Sequence, residues 1–292
     1  MSGDVIVTVT LHAALHVVYA PPRSCSAAAC PTACPRTGPW LILHGMDADH
    51  RAEPDVFSLF APVAVEETFD GVLTEARQVL GQLDDPVDAE LWGSDLIGAL
   101  AASAAGQASL METLTRSLVP AAEAASTPEA LALLRVFAAV GSPALRAAAG
   151  QAADRLRWHD LADPPWAGTV GAPQVRDCWH YADVGGRQES LTMTFAYGDK
   201  LHAVSVLIDH GRGGKIRDTW VAKGPDLRAD TEREVGRDPL VVFEMIDPAD
   251  ARLRLERAVG AGECPEQPDQ VDDVVAHRAL LRARLDLLAG RC

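Results

Sequence analysis

The stretch of sequence best equipped for chemistry runs from Asp209 to Asp218 and reads DHGRGGKIRD. It holds an imidazole, two carboxylates and three cationic groups around a glycine-rich turn: Asp209, His210, Arg212, Gly213, Gly214, Lys215, Arg217 and Asp218. Imidazoles and carboxylates exchange protons near neutral pH, and clustered cations attract anions. The segment therefore has three interpretations: a catalytic site, an anion-binding turn, or an architectural hairpin.

In the catalytic interpretation, Asp209, His210 and Asp218 form an acid–base group or hold a metal. Neighbouring residues on a strand point to opposite faces, so Asp209 and His210 converge only if the strand has already turned. Asp218 can join either of them from across the hairpin. No standard metal-ligand spacing is present, and we predict no metal. Other polar residues that the fold can bring close are His180, Asp183, Gln188, Glu189 and Glu244.

In the anion-binding interpretation, Arg212, Gly213, Gly214 and Lys215 receive the ligand. A P-loop requires a hydroxyl residue after its lysine and then a helix, whereas Ile216 and a predicted strand follow here. We therefore expect no nucleotide cradle of that type. The three lysines of the chain all lie between positions 200 and 223, which gives an acidic protein a local basic stripe. Such a stripe suits an anionic small molecule or the acidic surface of a partner protein.

In the architectural interpretation, the glycines supply positive φ angles for a tight hairpin. Asp209 and Asp218 then bond the turn backbone or pair with Arg212, Lys215 and Arg217. Residue types alone favour this interpretation most, because glycine, aspartate and exposed cations are common in hairpin turns.

Composition excludes several classes of function. The 292 residues include 26 basic and 41 acidic side chains, a formal net charge of −15 that repels nucleic acids and anionic membranes. The apolar run 5–20 is too short to span a bilayer and lacks the positive region of a secretory signal. We therefore expect a cytoplasmic protein with no nucleic acid and no membrane as partner.

The first 52 residues carry the cysteine cluster Cys25, Cys30 and Cys34 among proline, alanine and serine residues. Its spacing matches no standard zinc or iron–sulfur ligand set. We expect residues 1–52 to form a poorly structured extension, and the sequence identifies no cofactor.

Residues 53–167 are predicted to be helical. Apolar residues recur at three- and four-residue spacing from about position 65, with helices expected over 65–83, 86–105, 110–125, 128–140 and 144–158. Pro120 is expected to interrupt the third of these. The pairs Thr127-Pro128 and Ser142-Pro143 are start signals, because a capping hydroxyl precedes a proline at the first helical position. They predict two antiparallel helices joined by a very short connection.

In residues 174–292 the apolar residues first recur at every second position instead of every third or fourth. Strands are expected over 175–181, 189–197, 201–209, 216–222 and 240–246, joined by glycine-containing turns. Short sequential connections favour an antiparallel meander, and the nearly continuous apolar run 201–209 indicates a central strand. Helices over 248–259 and 271–288 close the sheet. The fold class is α+β: an N-terminal helical bundle, an antiparallel β-meander and two C-terminal helices.

The segments 188–190, 202–204, 206–210 and 213–215, together with Asp218, resemble an actinobacterial family of uncharacterised function. That family has a helical half rich in alanine and leucine, followed by a segment of the type V-D-H-N-x-G-G-x-x-K-D, to which the D-H-x-x-G-G-K-x-x-D hairpin of this chain is similar. The resemblance covers roughly residues 53–290. The chain departs from it at Gly211, which replaces an asparagine, and at Lys215, which directly follows the second glycine. The resemblance implies this layout and no activity.

The chain contains no nucleophile elbow, zinc-protease motif, dinucleotide fingerprint or calcium loop. We therefore expect a non-enzymatic binding or regulatory protein, of an oligomeric state that the sequence does not define. The alternative is a hydrolase or transferase that acts on an anionic small molecule with Asp209, His210 and Asp218 at its centre.

Overall fold

A computed structural model describes residues 65–103, 107–262 and 272–288 of the chain. The predicted extension 1–52 and its three cysteines lie outside these residues. Within them the α+β class is confirmed, with a helical half that precedes a five-stranded antiparallel sheet and two C-terminal helices. None of the described helices is both long enough and apolar enough to cross a bilayer.

The helices of the first half follow the apolar periodicity closely. They are α1 Val65–Val79, α2 Pro86–Ser103, α3 Gln107–Thr113, α4 Val119–Ala125, α5 Pro128–Val140 and α6 Pro143–Trp158. A π-helical turn at Leu114–Leu118 joins α3 to α4, so the helical path does not break at Pro120. Pro120 lies in the first turn of α4, where a missing backbone N–H is tolerated.

Both predicted start signals are confirmed. The Thr127 hydroxyl accepts a hydrogen bond from the Ala130 N–H at 3.3 Å, and the Ser142 hydroxyl accepts one from Leu145 at 3.4 Å. Each satisfies an amide that the first helical turn would otherwise leave unpaired. Gly141 and Ser142 are the whole connection between α5 and α6, which pack against each other as the predicted helical hairpin.

The sheet has the order β4-β3-β2-β1-β5 and is antiparallel throughout. Its strands are β1 Gln174–Asp183, β2 Gln188–Tyr197, β3 Lys200–Asp209, β4 Lys215–Lys223 and β5 Val241–Ile246. The first four form the expected meander, with β3 between β2 and β4. The fifth strand pairs with β1 at the far edge instead of following β4. A short helix that the sequence did not predict, α7 Leu227–Val235, lies in this crossover, and none of its residues is fully buried.

One hydrophobic core holds the helical half and the sheet together. Leu134 and Phe137 of α5 belong to the same buried cluster as Met193 of β2 and Val204 of β3. The C-terminal helices α8 Pro248–Gly262 and α9 Asp272–Leu288 pack on the sheet, and α9 also packs along α2. The sheet and the helices are therefore parts of one packed body.

The segment between α6 and β1 is packed although its prolines and glycines resemble a linker. Trp166 is only 2% exposed and belongs to the shared core. The Gly171 N–H lies 3.1 Å from Glu90 Oε1 and 3.0 Å from the Tyr197 hydroxyl. This segment thus closes one side of a buried polar cluster.

That cluster is centred on an ion pair between Glu90 of α2 and Arg284 of α9, both completely buried. The guanidinium donates to Glu90 at 2.5 and 3.1 Å, and the Tyr197 hydroxyl donates to the same carboxylate at 2.8 Å. His202 Nε2 lies 3.2 Å from Arg284 and accepts from it. Burial and the nearby positive charges of Arg284 and Lys223 lower the pKa of His202 to about 2. The imidazole is therefore neutral and serves as an acceptor.

Candidate functional site

Two turns lie side by side at one end of the sheet. The β1–β2 turn, residues 183–188, and the β3–β4 turn, residues 209–215, are joined by a hydrogen bond from the His210 N–H to the Arg187 carbonyl at 2.8 Å. The Asp183 carboxylate secures the first turn by accepting from the Arg187 and Gln188 N–H groups at 3.2 and 2.8 Å. We call these two turns together the turn end of the sheet.

The glycines of the β3–β4 turn have the positive φ angles that their positions require. Gly213 has φ +81° and Gly214 has φ +76°, and they follow a 3-10 turn at His210–Arg212. Their N–H groups donate to the carbonyls of His210 and Asp209 at 3.3 and 2.9 Å. Both amides are therefore engaged inside the turn, and Gly213 and Gly214 do not offer their N–H groups to a ligand.

The Asp209 carboxylate is nearly buried beneath this turn. Its Oδ2 lies 3.9 Å from Arg212 Nε and 3.9 Å from Arg217 Nη1. The Asp218 carboxylate accepts from the N–H of the next residue, Thr219, at 2.7 Å. These contacts agree with the architectural interpretation of both acids.

Strand register separates His210 from the two aspartates. Asp209 pairs with Gln188 and Asp218 pairs with Leu207, which places both acids on the sheet face opposite Glu189. His210 follows the strand end, and its Nε2 lies 3.0 Å from Glu189 Oε2. The structure therefore does not join His210 to Asp209 and Asp218 as one group.

Glu189 is the centre of the polar cluster that the structure does form. Only 6% exposed, it accepts from Arg254 of α8, and its Oε1 lies 3.2 Å from His180 Nδ1. Burial raises the pKa of Glu189, but hydrogen bonds from His210 and Arg254 and the positive charge beside it outweigh this and lower the pKa below its ordinary value. Glu189 is therefore an ionised carboxylate with both oxygens occupied, which orients the groups around it.

His180 extends this cluster to the edge of the sheet. Its Nε2 lies 3.1 Å from Glu244 Oε2 on β5. Both ring nitrogens of His180 thus face a carboxylate, Glu189 on one side and Glu244 on the other. The contacts form a continuous polar chain from the β3–β4 turn to β5.

His210 is the member of the cluster that faces solvent, with 44% of its side chain exposed. Because Glu189 accepts the Nε2 proton, the neutral ring keeps its lone pair on Nδ1. Nδ1 lies beside Gly214, where a Cβ atom would be 3.9 Å away. His210 therefore combines an orientation fixed by Glu189 with a partly exposed ring.

Cationic side chains surround the turn end. Arg212 is 64% exposed, Arg187 is exposed and Lys215 is partly exposed. Within the described part of the chain, no acidic side chain forms an ion pair with Arg187 or Lys215. The two turns together carry three cations and two carboxylates, Asp183 and Asp209, whereas the whole chain has a net charge of −15.

Among residues 65–103, 107–262 and 272–288, no group of three or more histidine, cysteine, aspartate or glutamate side chains is arranged to hold a metal ion. No protein-family model, curated protein or solved structure matches this chain.

Proposed function

We propose that this chain is a cytoplasmic, non-enzymatic binding or regulatory protein that receives an anionic group at the turn end of the sheet. The observation that carries the proposal is the collection of Arg187, Arg212 and Lys215 at one exposed position of an acidic chain. Arg187 and Lys215 form no ion pair in the described part of the chain, and Arg212 has only a long one with Asp209, so an incoming carboxylate or phosphate can engage all three cations. The ligand is an anionic small molecule or an acidic side chain of a partner protein.

The spacing around Asp209 leaves the arginines available to that ligand. At 3.9 Å from Asp209, the Arg212 and Arg217 guanidinium groups are beyond hydrogen-bond distance. An anion can therefore engage Arg212 without breaking a hydrogen bond, while the Asp209 charge keeps the arginine near the turn. Glu189 and Arg254 stabilise the base of the site and are not needed to contact the ligand.

The test is calorimetric titration of the full chain with inorganic phosphate, citrate and a glutamate-rich peptide. The double variant Arg212→Gln/Lys215→Gln is expected to weaken binding by roughly tenfold, because two charge-assisted hydrogen bonds are lost. The matched control is Arg233→Gln/Lys200→Gln, which removes the same charge from a helix and from the opposite end of the sheet. Arg233 is as exposed as Arg212, at 64%.

Equal weakening in both double variants would mean that only the net charge matters, and it would overturn the site. The absence of binding by all three probes would overturn the proposal. Binding of the peptide alone would identify a protein partner, whereas binding of phosphate or citrate would identify a small molecule.

The second candidate is a hydrolase or transferase that acts on an anionic small molecule. It is favoured by the Glu189–His210 pair, because a buried carboxylate that fixes an accessible imidazole is the arrangement of a general base. In this candidate His210 Nδ1 takes the proton of an attacking water or hydroxyl group while the cations hold the substrate. The attacking oxygen bonds to the reacting phosphorus or carbonyl carbon as the bond to the leaving group breaks, and the protonated imidazole then gives its proton to the leaving oxygen. From the sequence, Asp209 or Asp218 was expected to be the carboxylate partner of His210. In the structure that partner is Glu189.

His210→Gln separates the two candidates. The binding proposal expects no turnover of p-nitrophenyl phosphate or p-nitrophenyl acetate by either the native chain or the variant. The enzymatic candidate expects turnover that His210→Gln abolishes and Asp218→Asn leaves intact, with phosphate affinity retained. Turnover unaffected by His210→Gln would eliminate the enzymatic candidate as stated.

A further inference from the structure

Strand β5 is an exposed apolar edge of the described sheet. Six large apolar side chains are strongly exposed in the described residues, and four of them lie on or beside this strand: Val184 at 63%, Leu240 at 60%, Val242 at 53% and Met245 at 43%. Val184 belongs to this edge because its N–H donates to the Leu240 carbonyl at 2.9 Å. An apolar edge strand offers both backbone hydrogen bonds and an apolar surface to another strand.

The opposite edge, β4, is protected against such pairing. A bulge lies at Leu207 and Ile208, where the register with β4 shifts. Along β4 itself, charged residues occupy both ends and the centre of the strand: Lys215, Arg217, Asp218 and Lys223. Bulges and charges are the features by which natural sheets prevent edge pairing. The β5 edge carries a single charge, Glu244, and no register shift is found in its pairing with β1.

We infer that β5 pairs antiparallel with β5 of a second copy of this chain, and that the two five-stranded sheets join into one of ten strands. An antiparallel pair of identical strands is related by a two-fold axis, so the contact closes on itself. Growth of a filament would require β5 of one copy to meet β4 of another, and the charged, bulged β4 edge disfavours that contact. The asymmetry between the edges therefore selects a dimer.

The charges of the strand fit this symmetry. If the axis passes through Phe243, each Glu244 lies opposite Val242 of the other copy, so the two carboxylates do not face each other. Each Glu244 also keeps its contact with His180 in its own chain. The remaining repulsion comes from the net charge of −15 on each copy, and salt screens it. The dimer is therefore expected to strengthen as salt is added, unlike an interface of ion pairs.

The inference does not depend on the proposed function, and sedimentation equilibrium of the full chain tests it. We expect a monomer–dimer equilibrium whose dissociation constant falls by at least threefold between about 0.05 M and 0.5 M NaCl. The double variant Val242→Glu/Met245→Glu is expected to raise that constant at least tenfold, because the new carboxylate at position 242 faces Glu244 of the other copy and like charges opposite each other destabilise an antiparallel pair. Trp158→Glu/Leu253→Glu is the matched control, because it adds the same two charges at side chains that are 89% and 48% exposed but lie on α6 and α8, and it should dimerise much more tightly than the β5 double variant.

A native chain that remains monomeric up to about 100 µM would overturn the inference, and the β5 edge would then not pair with a second copy. A dimer that the β5 double variant retains would also overturn it. Hydrogen exchange of the native chain gives an answer that needs no variant. The amides of residues 241–246 should become more protected as the concentration rises, and protection that appears only elsewhere would contradict the assignment.

Discussion

Replacement of Arg284 by methionine is expected to lower the free energy of unfolding by about 3–5 kcal/mol, which is the usual cost of removing one partner from a buried ion pair. Arg284 and Glu90 are both completely excluded from solvent, so the remaining carboxylate gains no compensating hydration. The Tyr197 hydroxyl and the Gly171 N–H stay with Glu90 but do not neutralise it. Loss of the guanidinium over the Phe195 ring, 5.0 Å from its centroid, adds to the effect. Urea unfolding monitored by circular dichroism measures the change.

The control is the double variant Arg284→Met/Glu90→Gln. Glutamine keeps an acceptor for Tyr197 and Gly171 and removes the unpaired charge, so the double variant should be more stable than Arg284→Met alone. If the single variant lost less than about 1 kcal/mol, the ion pair between α2 and α9 would not be an important source of stability. If the double variant were the less stable one, the cost would come from packing and not from charge.

Acidification from pH 7 to pH 5 is expected to remove about 2 kcal/mol of stability through His202 alone. In the unfolded chain this imidazole has an ordinary pKa near 6.5, whereas in the folded chain burial and the charge of Arg284 lower its pKa to about 2. Between these values the unfolded state binds a proton that the folded state does not. The stabilisation is therefore complete above pH 6.5 and decreases as the pH falls. Burial also lowers the pKa of His277, which acts in the same direction.

His202→Gln provides the comparison, because its amide oxygen can still accept from Arg284 and it does not titrate. The variant should lose about 2 kcal/mol less than the native chain over the same pH interval, although it is the less stable protein at pH 7. His277 is present in both proteins, so its contribution cancels. Parallel stability curves for the two proteins would show that His202 is not the group responsible.

Local sequence rules predicted most of the elements. The capping hydroxyls of Thr127 and Ser142, each followed by a proline, define two helix starts that the structure confirms, because capping depends only on neighbouring residues. The strand β3 was expected to be central from its apolar run and lies between two others. The helix α7 was missed because no side chain in it is fully buried, and such a helix has weak apolar periodicity.

The candidate site was predicted only in part, for a physical reason. The turn between β2 and β3 pairs Tyr197 with Lys200. Moving away from the turn, toward lower numbers on β2 and higher numbers on β3, places Glu189 opposite Ile208, two residues before His210. Hairpin register thus contained enough information to bring Glu189 to His210. Arg254 is different, because it arrives from a helix 65 residues away through tertiary packing. The pairing of β5 with β1 also depends on a long crossover and has no local pattern.

The Glu90–Arg284 pair also has a consequence during synthesis of the chain. The two residues are separated by 194 positions, so Glu90 leaves the ribosome long before its partner exists. Until α9 emerges, α2 carries a carboxylate at a position that the finished fold seals from water, and burying it alone is strongly unfavourable. Burial of this part of α2 is therefore unfavourable until α9 supplies Arg284. We therefore expect α2 to complete its packing only once α9 is present, so that the helical half and the sheet fold as a single unit.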